Sequence, residues 1–188
     1  MCNLVLGSKS PRRKELLKNI GYDFIVRSSD VDETYPGNLS PEEVVSYLSE
    51  KKNRAISIES NEIVLTADTI VSKNGEILGK PQGEAEAHDY LQFLSGSTHE
   101  VFTGVTIRSE SRFCSFSVCT SVTFFNLRNE EIHRYISTGE YKDKAGGYGI
   151  QGKGALLVER IEGDYYSVVG LPVSRVVREL ESFGINPI

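Results

Sequence analysis

The chain alternates short apolar runs with amphipathic stretches from its first residues onward. Asn3 to Leu6 is an apolar run of strand length. After the turn Gly7-Ser8-Lys9-Ser10-Pro11, the residues Leu16, Leu17 and Ile20 recur at helical spacing, and Gly21 ends that helix. Tyr22 to Arg27 predicts a second strand, and Ser28 to Leu39 an acidic, turn-rich loop. Ser40-Pro41-Glu42-Glu43 opens a second helix running to about Ile58, with Val44, Val45, Leu48, Ala55 and Ile56 as its buried face. Glu62 to Ser72 is a nearly continuous apolar strand, which Asn74-Gly75 turns tightly into Glu76 to Leu78. A third helix spans about Gly83 to Leu94. Two long strands follow, roughly His99 to Arg108 and Arg112 to Asn126, and then a helix from Asn129 to Ser137. A glycine-rich loop from Gly139 to Gly154, a strand from Ala155 to Ile161 and a helix from Gly170-Leu171-Pro172 to Phe183 complete the pattern.

Helices that alternate with strands, followed by long paired strands, predict an α/β fold with a mixed, twisted sheet. No repeat, low-complexity tract or Pro/Ser-rich linker interrupts it, so residues 1–188 are expected to form one domain, with two lobes around a cleft. The 188 residues carry a net charge of −5, which disfavours binding to a nucleic-acid backbone. No run reaches the roughly 20 apolar residues of a membrane span, and the first ten residues lack a secretory pattern, so a cytoplasmic location is expected. Cys2, Cys114 and Cys119 are odd in number and contain no C-x-x-C pair, which suits reduced thiols. His88, His99 and His133 lie far apart, so zinc is not expected, and any metal is a hard cation on carboxylates.

Two helices open with Ser-Pro, and they differ in the two residues after the proline. Glu42 and Glu43 complement the positive end of the second helix, with Ser40 and Glu43 at capping-box spacing. At the first helix Arg12 and Arg13 stand where acids belong. A phosphate there would meet both guanidiniums, free backbone N–H groups and the hydroxyls of Ser8 and Ser10, approached across side-chain-free Gly7. The alternative is a solvated arginine pair. Lys52 falls on the apolar stripe of the second helix, where it either reaches phosphate oxygen or snorkels to solvent.

Asp68 interrupts the apolar strand Ile63 to Val71. A buried carboxylate needs a metal, a cation or a set of donors, so Asp68 is a metal ligand, a general base, or a structural acid on backbone N–H groups. Lys80, on the stiff turn Gly79-Lys80-Pro81, is a candidate for a further phosphate cation; among Asp30, Asp32 and Glu33, Glu33 is a candidate second carboxylate for magnesium, with a solvated acidic loop as the alternative. The glycine-rich loop holds Tyr148 and Gln151, and a glutamine amide can read a base edge; a flexible surface loop is the alternative.

Taken together, six motifs in order resemble the Maf family of nucleoside triphosphate pyrophosphatases over nearly the whole chain. Ser8-Lys9-Ser10-Pro11-Arg12-Arg13 resembles its S-x-S-P-R-R, Ala67-Asp68-Thr69 its A-D-T, and Gly79-Lys80-Pro81 its G-K-P. Leu48 to Asn53 resembles L-A-x-x-K-A, Lys144 to Gly152 resembles K-A-G-A-Y-G-I-Q-G, and Gly170-Leu171-Pro172 resembles a late G-L-P. The resemblance implies an elongated, inosine-triphosphatase-like fold with a central cleft, often dimeric. It implies Asp68 as catalytic base and, with Glu33, as holder of a divalent cation, magnesium or manganese. Ser8, Arg13, Lys52 and Lys80 would contact phosphate, and Arg12, Thr69 and Gln151 would govern substrate choice. The glycine loop is similar to the UTP/dTTP branch rather than the 7-methyl-GTP branch, with the base against the Tyr148–Gln151 loop. Ser49, Asn53 and Gly147 depart from the family pattern, where small apolar residues and an alanine are usual. A nucleotide-sensing module tied to cell division is the reading from another class, but an acid facing phosphate repels the ligand and suits turnover better than binding.

Overall fold

A computed structural model describes residues 3–187; Met1, Cys2 and Ile188 lie outside the described residues. The strands β1 (Asn3–Leu6), β2 (Ile25–Val26), β3 (Glu62–Lys73), β4 (Glu76–Leu78), β5 (Thr98–Arg108), β6 (Phe113–Phe124) and β7 (Val158–Glu162) form one mixed sheet. Its order is β2-β1-β3-β5-β6-β7, with β4 paired to β3. β1 runs parallel to both β2 and β3, and β3–β4 and β6–β7 are antiparallel. The helices are α1 (Pro11–Asn19), α2 (Pro41–Arg54), α3 (Glu84–Leu94), α4 (Asn129–Ile136), α5 (Tyr165–Val169) and α6 (Val173–Ser182). The α/β class is as the sequence implies. The chain divides into two compact units, and the division falls inside β3, between Asp68 and Thr69.

The first unit comprises residues up to Asp68, Thr103–Val118 and the chain from Gly170 on. Its β1 is buried at Leu4, Val5 and Leu6, and its part of β3 is buried throughout, as expected of parallel strands covered on both faces. The expected strand from Tyr22 is reduced to Ile25–Val26: Tyr22 turns into the core, while Ile25 and Val26 sit exposed at the sheet edge. Arg27 fixes that edge by a two-pronged bond to the buried Glu62, at 2.7 and 2.8 Å. α2 ends at Arg54, not near Ile58, and Ala55 is its exposed C-cap rather than part of the buried face. The buried face continues instead through Ser49 and Asn53, both fully enclosed. Gly7 is needed for packing: a Cβ there would lie 2.4 Å from Ile56 Cδ1 and 2.5 Å from Thr66 Cγ2, so the space beside it belongs to the core.

The second unit comprises Thr69–Phe102 and Cys119–Val169. Its core gathers Val71, Leu91, Leu94, Phe124, Ile132, Tyr135, Tyr148 and Leu157 from α3, α4, the sheet and the glycine loop. Asn74 and Gly75 have positive φ, 53° and 82°, as the tight hairpin after β3 requires. The expected strand from Ala155 begins only at Val158, because Gly152–Leu157 winds as a 3-10 turn. That turn brings Gly154 against the carbonyl of Gly149, where a Cβ would lie 1.8 Å from oxygen, and seats Leu157 in the core. α5 was not visible as a helix in the apolar pattern; Asp164 caps its start, accepting from Ser167 N at 3.1 Å.

Candidate active site

In the first unit, Ser10 caps α1 by accepting from Arg13 N at 3.5 Å, with Pro11 in the first turn and no acidic residue beside it. The turn before it is closed by the buried Ser8, whose Oγ accepts from Ser10 N at 3.2 Å and from Arg13 Nη1 at 3.3 Å. Arg13 also donates from Nε to the carbonyl of Gly170 at 2.8 Å, so the late Gly-Leu-Pro motif serves to hold this guanidinium. Desolvation lowers the Arg13 pKa from the usual guanidinium value, and the Asp68 carboxylate opposes that shift ahead of Glu33; Arg12, a like charge, adds to it. Arg13 therefore stays a cation, fixed at both ends, with Arg12 partly exposed next to it.

Lys52 resolves the question left by its place on the stripe. Its ammonium turns back over β3 to hydrogen-bond Oδ1 of Asp68, and it lies 2.8 Å from Glu33 Oε1. The Lys52 and Asp68 side chains are 17% and 11% exposed, so neither snorkels freely. Asp68 is thus paired with a cation, not with backbone donors at a bend. Two carboxylates from separate segments converge on one positive charge, the donor set a hard divalent cation would use with phosphate oxygens and water completing its shell. No cluster of three or more such ligands occurs among the described residues. Lys9, at the variable position, pairs with Asp30 at 2.6 Å on the exposed side of the same loops.

A polar network behind Lys52 escaped the sequence reading except as departures from the family pattern. Asn53 Nδ2 donates to the carbonyls of Val64 (3.0 Å) and Thr106 (3.1 Å), and its Oδ1 accepts from Arg108 Nε at 2.8 Å. Ser49 Oγ lies 2.9 Å from Thr106 Oγ1, and its carbonyl accepts from Thr66 Oγ1 at 2.8 Å. These bonds tie α2 to β3 and β5, so the helix that carries Lys52 is held in register with the strand that carries Asp68. The signal lay in the spacing: Val45, Ser49 and Asn53 follow one another at i, i+4 and i+8 on the buried stripe.

In the second unit the loop bearing Tyr148 and Gln151 is tied to its surroundings by hydrogen bonds. Gly146 N donates to the carbonyl of Gly79 at 3.0 Å, which brings the Gly-Lys-Pro turn of the exposed Lys80 beside the glycine loop. Gly149 N donates to Tyr135 Oη at 3.1 Å, and Lys153 N to Glu140 Oε2 at 3.0 Å. Gly147 has φ +73°, which glycine adopts without strain. Tyr148 is one of the residues that tie this loop down. Its side chain is buried among Phe124 and His99, with Oη 2.6 Å from His99 Nε2. Burial raises the Tyr148 pKa and lowers that of His99 to about 4, so both are neutral. Tyr148 fastens the loop, Gln151 stays exposed at the start of the 3-10 turn, and Thr69 is partly buried on β3.

The sequence as a whole shows which family the chain belongs to. A model of the Maf-like protein family matches residues 3–183, and the chain belongs to that family. It is 53% identical over 188 residues to the dTTP/UTP pyrophosphatase of Bacillus pumilus (strain SAFR-032), covering 100% of both chains. It is 52% identical over 187 residues to the dTTP/UTP pyrophosphatase of Bacillus cereus (strain ZK / E33L), covering 99% of this chain and 98% of that one. Among solved structures, a HAM1 protein from Coxiella burnetii aligns with a TM-score of 0.44 at 15% identity, over 66% of this chain and 73% of that one, a likeness too slight to argue from. No described helix is long and apolar enough to cross a membrane.

Proposed function

We propose that this protein hydrolyses dTTP and UTP to the nucleoside monophosphate and pyrophosphate. The observation that carries the reading is the convergence of Asp68 and Glu33 on one cationic position next to the Ser8–Arg13 turn. Relatives that share about half of its residues over their full length, named dTTP/UTP pyrophosphatases, support the choice of substrate.

In the reaction, a water oxygen attacks the α-phosphorus in line with the bridging oxygen of the leaving group. Asp68 orients that water and accepts its proton. The bond from the α-phosphorus to the bridging oxygen breaks, and pyrophosphate leaves with the electron pair. Arg13 and Ser8 hold phosphate oxygens in fixed positions, and Arg12, Lys52 and Lys80 add positive charge for the growing negative charge of the leaving group. Glu33 and Asp68 are the residues that would hold a divalent cation, magnesium or manganese, whose contribution when bound is to neutralise phosphate charge. Gln151 reads the base edge, Thr69 contacts the ribose or base, and the base lies against the loop that carries Tyr148 and Gln151. A homodimer in the cytoplasm and a role in cleansing the nucleotide pool or in division belong to the same reading, from the family resemblance.

A substrate panel tests it. The purified protein is given magnesium or manganese and each nucleoside triphosphate in turn, and monophosphate, pyrophosphate and orthophosphate are measured. Monophosphate with pyrophosphate from dTTP and UTP, lost with chelator, is expected. Orthophosphate with diphosphate would place the attack at a different phosphorus. Nucleotide bound without turnover would favour a sensing module.

A further inference from the structure

Lys52 and a divalent cation make competing claims on the same two carboxylates. The Lys52 ammonium touches both, hydrogen-bonding Asp68 Oδ1 and lying 2.8 Å from Glu33 Oε1. Its side chain is 17% exposed and that of Asp68 11%, so the Asp68 end of the contact is poorly solvated and like charges repel there, while Glu33, 51% exposed, closes the contact from the solvent side. We propose that Lys52 is a tethered counter-ion occupying the seat of the divalent cation, so that free metal ion is refused and metal enters only with nucleotide. This inference rests on the proposed pyrophosphatase reading, and it concerns the order and coupling of binding, which that reading leaves open.

Charge and reach together set the coupling. Glu33 and Asp68 together carry two negative charges, and the ammonium already offsets one of them. A doubly charged ion entering the pair with the ammonium in place would sit within a few ångströms of another cation, with Arg13 close enough to feel both carboxylates. The ammonium must therefore leave. A lysine can do so, since its four-carbon stem rotates freely. It gains nothing by leaving, however, unless another anion receives it, and a nucleotide's phosphates are such an anion. Nucleotide and metal then bind with positive coupling, each raising the affinity of the other by the same factor. The polar network of Ser49 and Asn53 keeps the backbone of α2 in place during the exchange, so the change is confined to one side chain.

The test measures metal binding to the nucleotide-free protein, with no turnover involved. Manganese is titrated into wild type and variants, and the free ion is read by electron paramagnetic resonance. Wild type is expected to bind manganese alone weakly. Lys52→Met should bind it at least about tenfold more tightly, and Lys52→Gln serves as a second variant should the first fail to fold by circular dichroism. The double change Glu33→Gln with Lys52→Met should lose that gain, which ties it to the carboxylate pair. Lys51→Met removes an equal charge from the neighbouring exposed position, where the ammonium bonds the Thr34 carbonyl at 3.1 Å, and should change affinity less than twofold. Unchanged or weaker binding in both Lys52 variants overturns the proposal, and so does an equal gain in Lys51→Met, which would reduce the effect to general charge. A silent substrate panel alongside the stated manganese results would remove the enzyme reading and leave the exclusion standing. Turnover with no gain in the Lys52 variants would do the reverse.

Discussion

The Lys52 ammonium and Asp68 Oδ1 are hydrogen-bonded across the gap between α2 and β3, and both side chains are largely buried. A carboxylate on a central strand is costly unless a cation or donors meet it, and here the cation is delivered by a helix whose inner stripe is itself polar. The acid and its lysine are therefore one unit of the fold as well as of the chemistry.

Removing the acid separates these two roles. Asp68→Asn keeps the side-chain shape and leaves Lys52 with Glu33. As a general base contributes about 10²–10⁴-fold, turnover of dTTP should fall to about a hundredth of wild type or less. The fold should stay intact by circular dichroism, while the urea midpoint falls because the buried ammonium loses one of its two partners. A variant that keeps more than about a tenth of the activity would exclude Asp68 as the base.

Asn53 should matter to stability more than its place on a helix suggests. Its amide satisfies two buried carbonyls and its oxygen receives Arg108, so Asn53→Ala strands several buried polar groups at once. We expect a loss of roughly 3 kcal/mol in urea unfolding, from the desolvation cost of groups left unpaired. A loss under about 1 kcal/mol would mean that water or a shifted side chain replaces the amide.

Gly104 on β5 offers a purely steric counterpart. A Cβ there would lie 2.3 Å from the carbonyl oxygen of Val45 and 2.5 Å from its carbon, both backbone atoms of α2 that cannot step aside. Gly104→Ala should therefore cost at least about 2 kcal/mol by overpacking, whereas Gly37→Ala, with nothing within 4 Å, should stay within about 0.5 kcal/mol. Equal melting temperatures for the two would show that α2 can move off β5, which the Asn53 network argues against.

Where these effects were legible in the sequence depended on whether the pattern was local. The caps at Ser10 and Ser40, the Asn74-Gly75 hairpin and the apolar β3 are set by neighbouring residues, and each was readable. Asp68 stood out because an acid in an apolar strand is a local contradiction. Its partner was not readable, since Lys52 could as well have reached solvent and only the packing of α2 on β3 decides. The enclosure of Tyr148 was not readable for the same reason, since only packing brings His99 and Phe124, distant in sequence, around it. The 3-10 turn before β7 was hidden because Ala155-Leu156-Leu157 alternates no differently from a strand, and it is the close approach of Gly154 to Gly149 that winds it.

Gln151 can be tested apart from the fold, because it is exposed and its loop is held by other residues. Gln151→Ala should leave the melting temperature within about 2 °C of wild type, a change of under about 0.5 kcal/mol. It should narrow the ratio of kcat/KM between dTTP or UTP and the other triphosphates by about tenfold, the worth of one or two hydrogen bonds to a base edge. An unchanged ratio would assign base choice elsewhere.

His99 should leave a signature in the acid limb of stability. Burial, with Lys73 nearby, lowers its pKa from the ordinary 6.5 to about 4, so the folded protein keeps it neutral while the unfolded chain protonates it first. The unfolded state then binds more protons over that window, and stability falls as pH falls. The contribution is complete above pH 6.5, declines between 6.5 and 4, and is spent below the folded value; a shift of that size corresponds to roughly 3 kcal/mol. His99→Gln keeps a partner for the Tyr148 hydroxyl but does not titrate. At pH 7 the variant should be less stable than wild type, having lost the ring contacts with Phe124 and Tyr148. Between pH 6.5 and 4 its unfolding free energy should change less than that of wild type, so the two curves should converge. Parallel curves across that window would mean that His99 is protonated in the folded protein as readily as in the unfolded chain, and the Tyr148 anchor would then have to be a charged one.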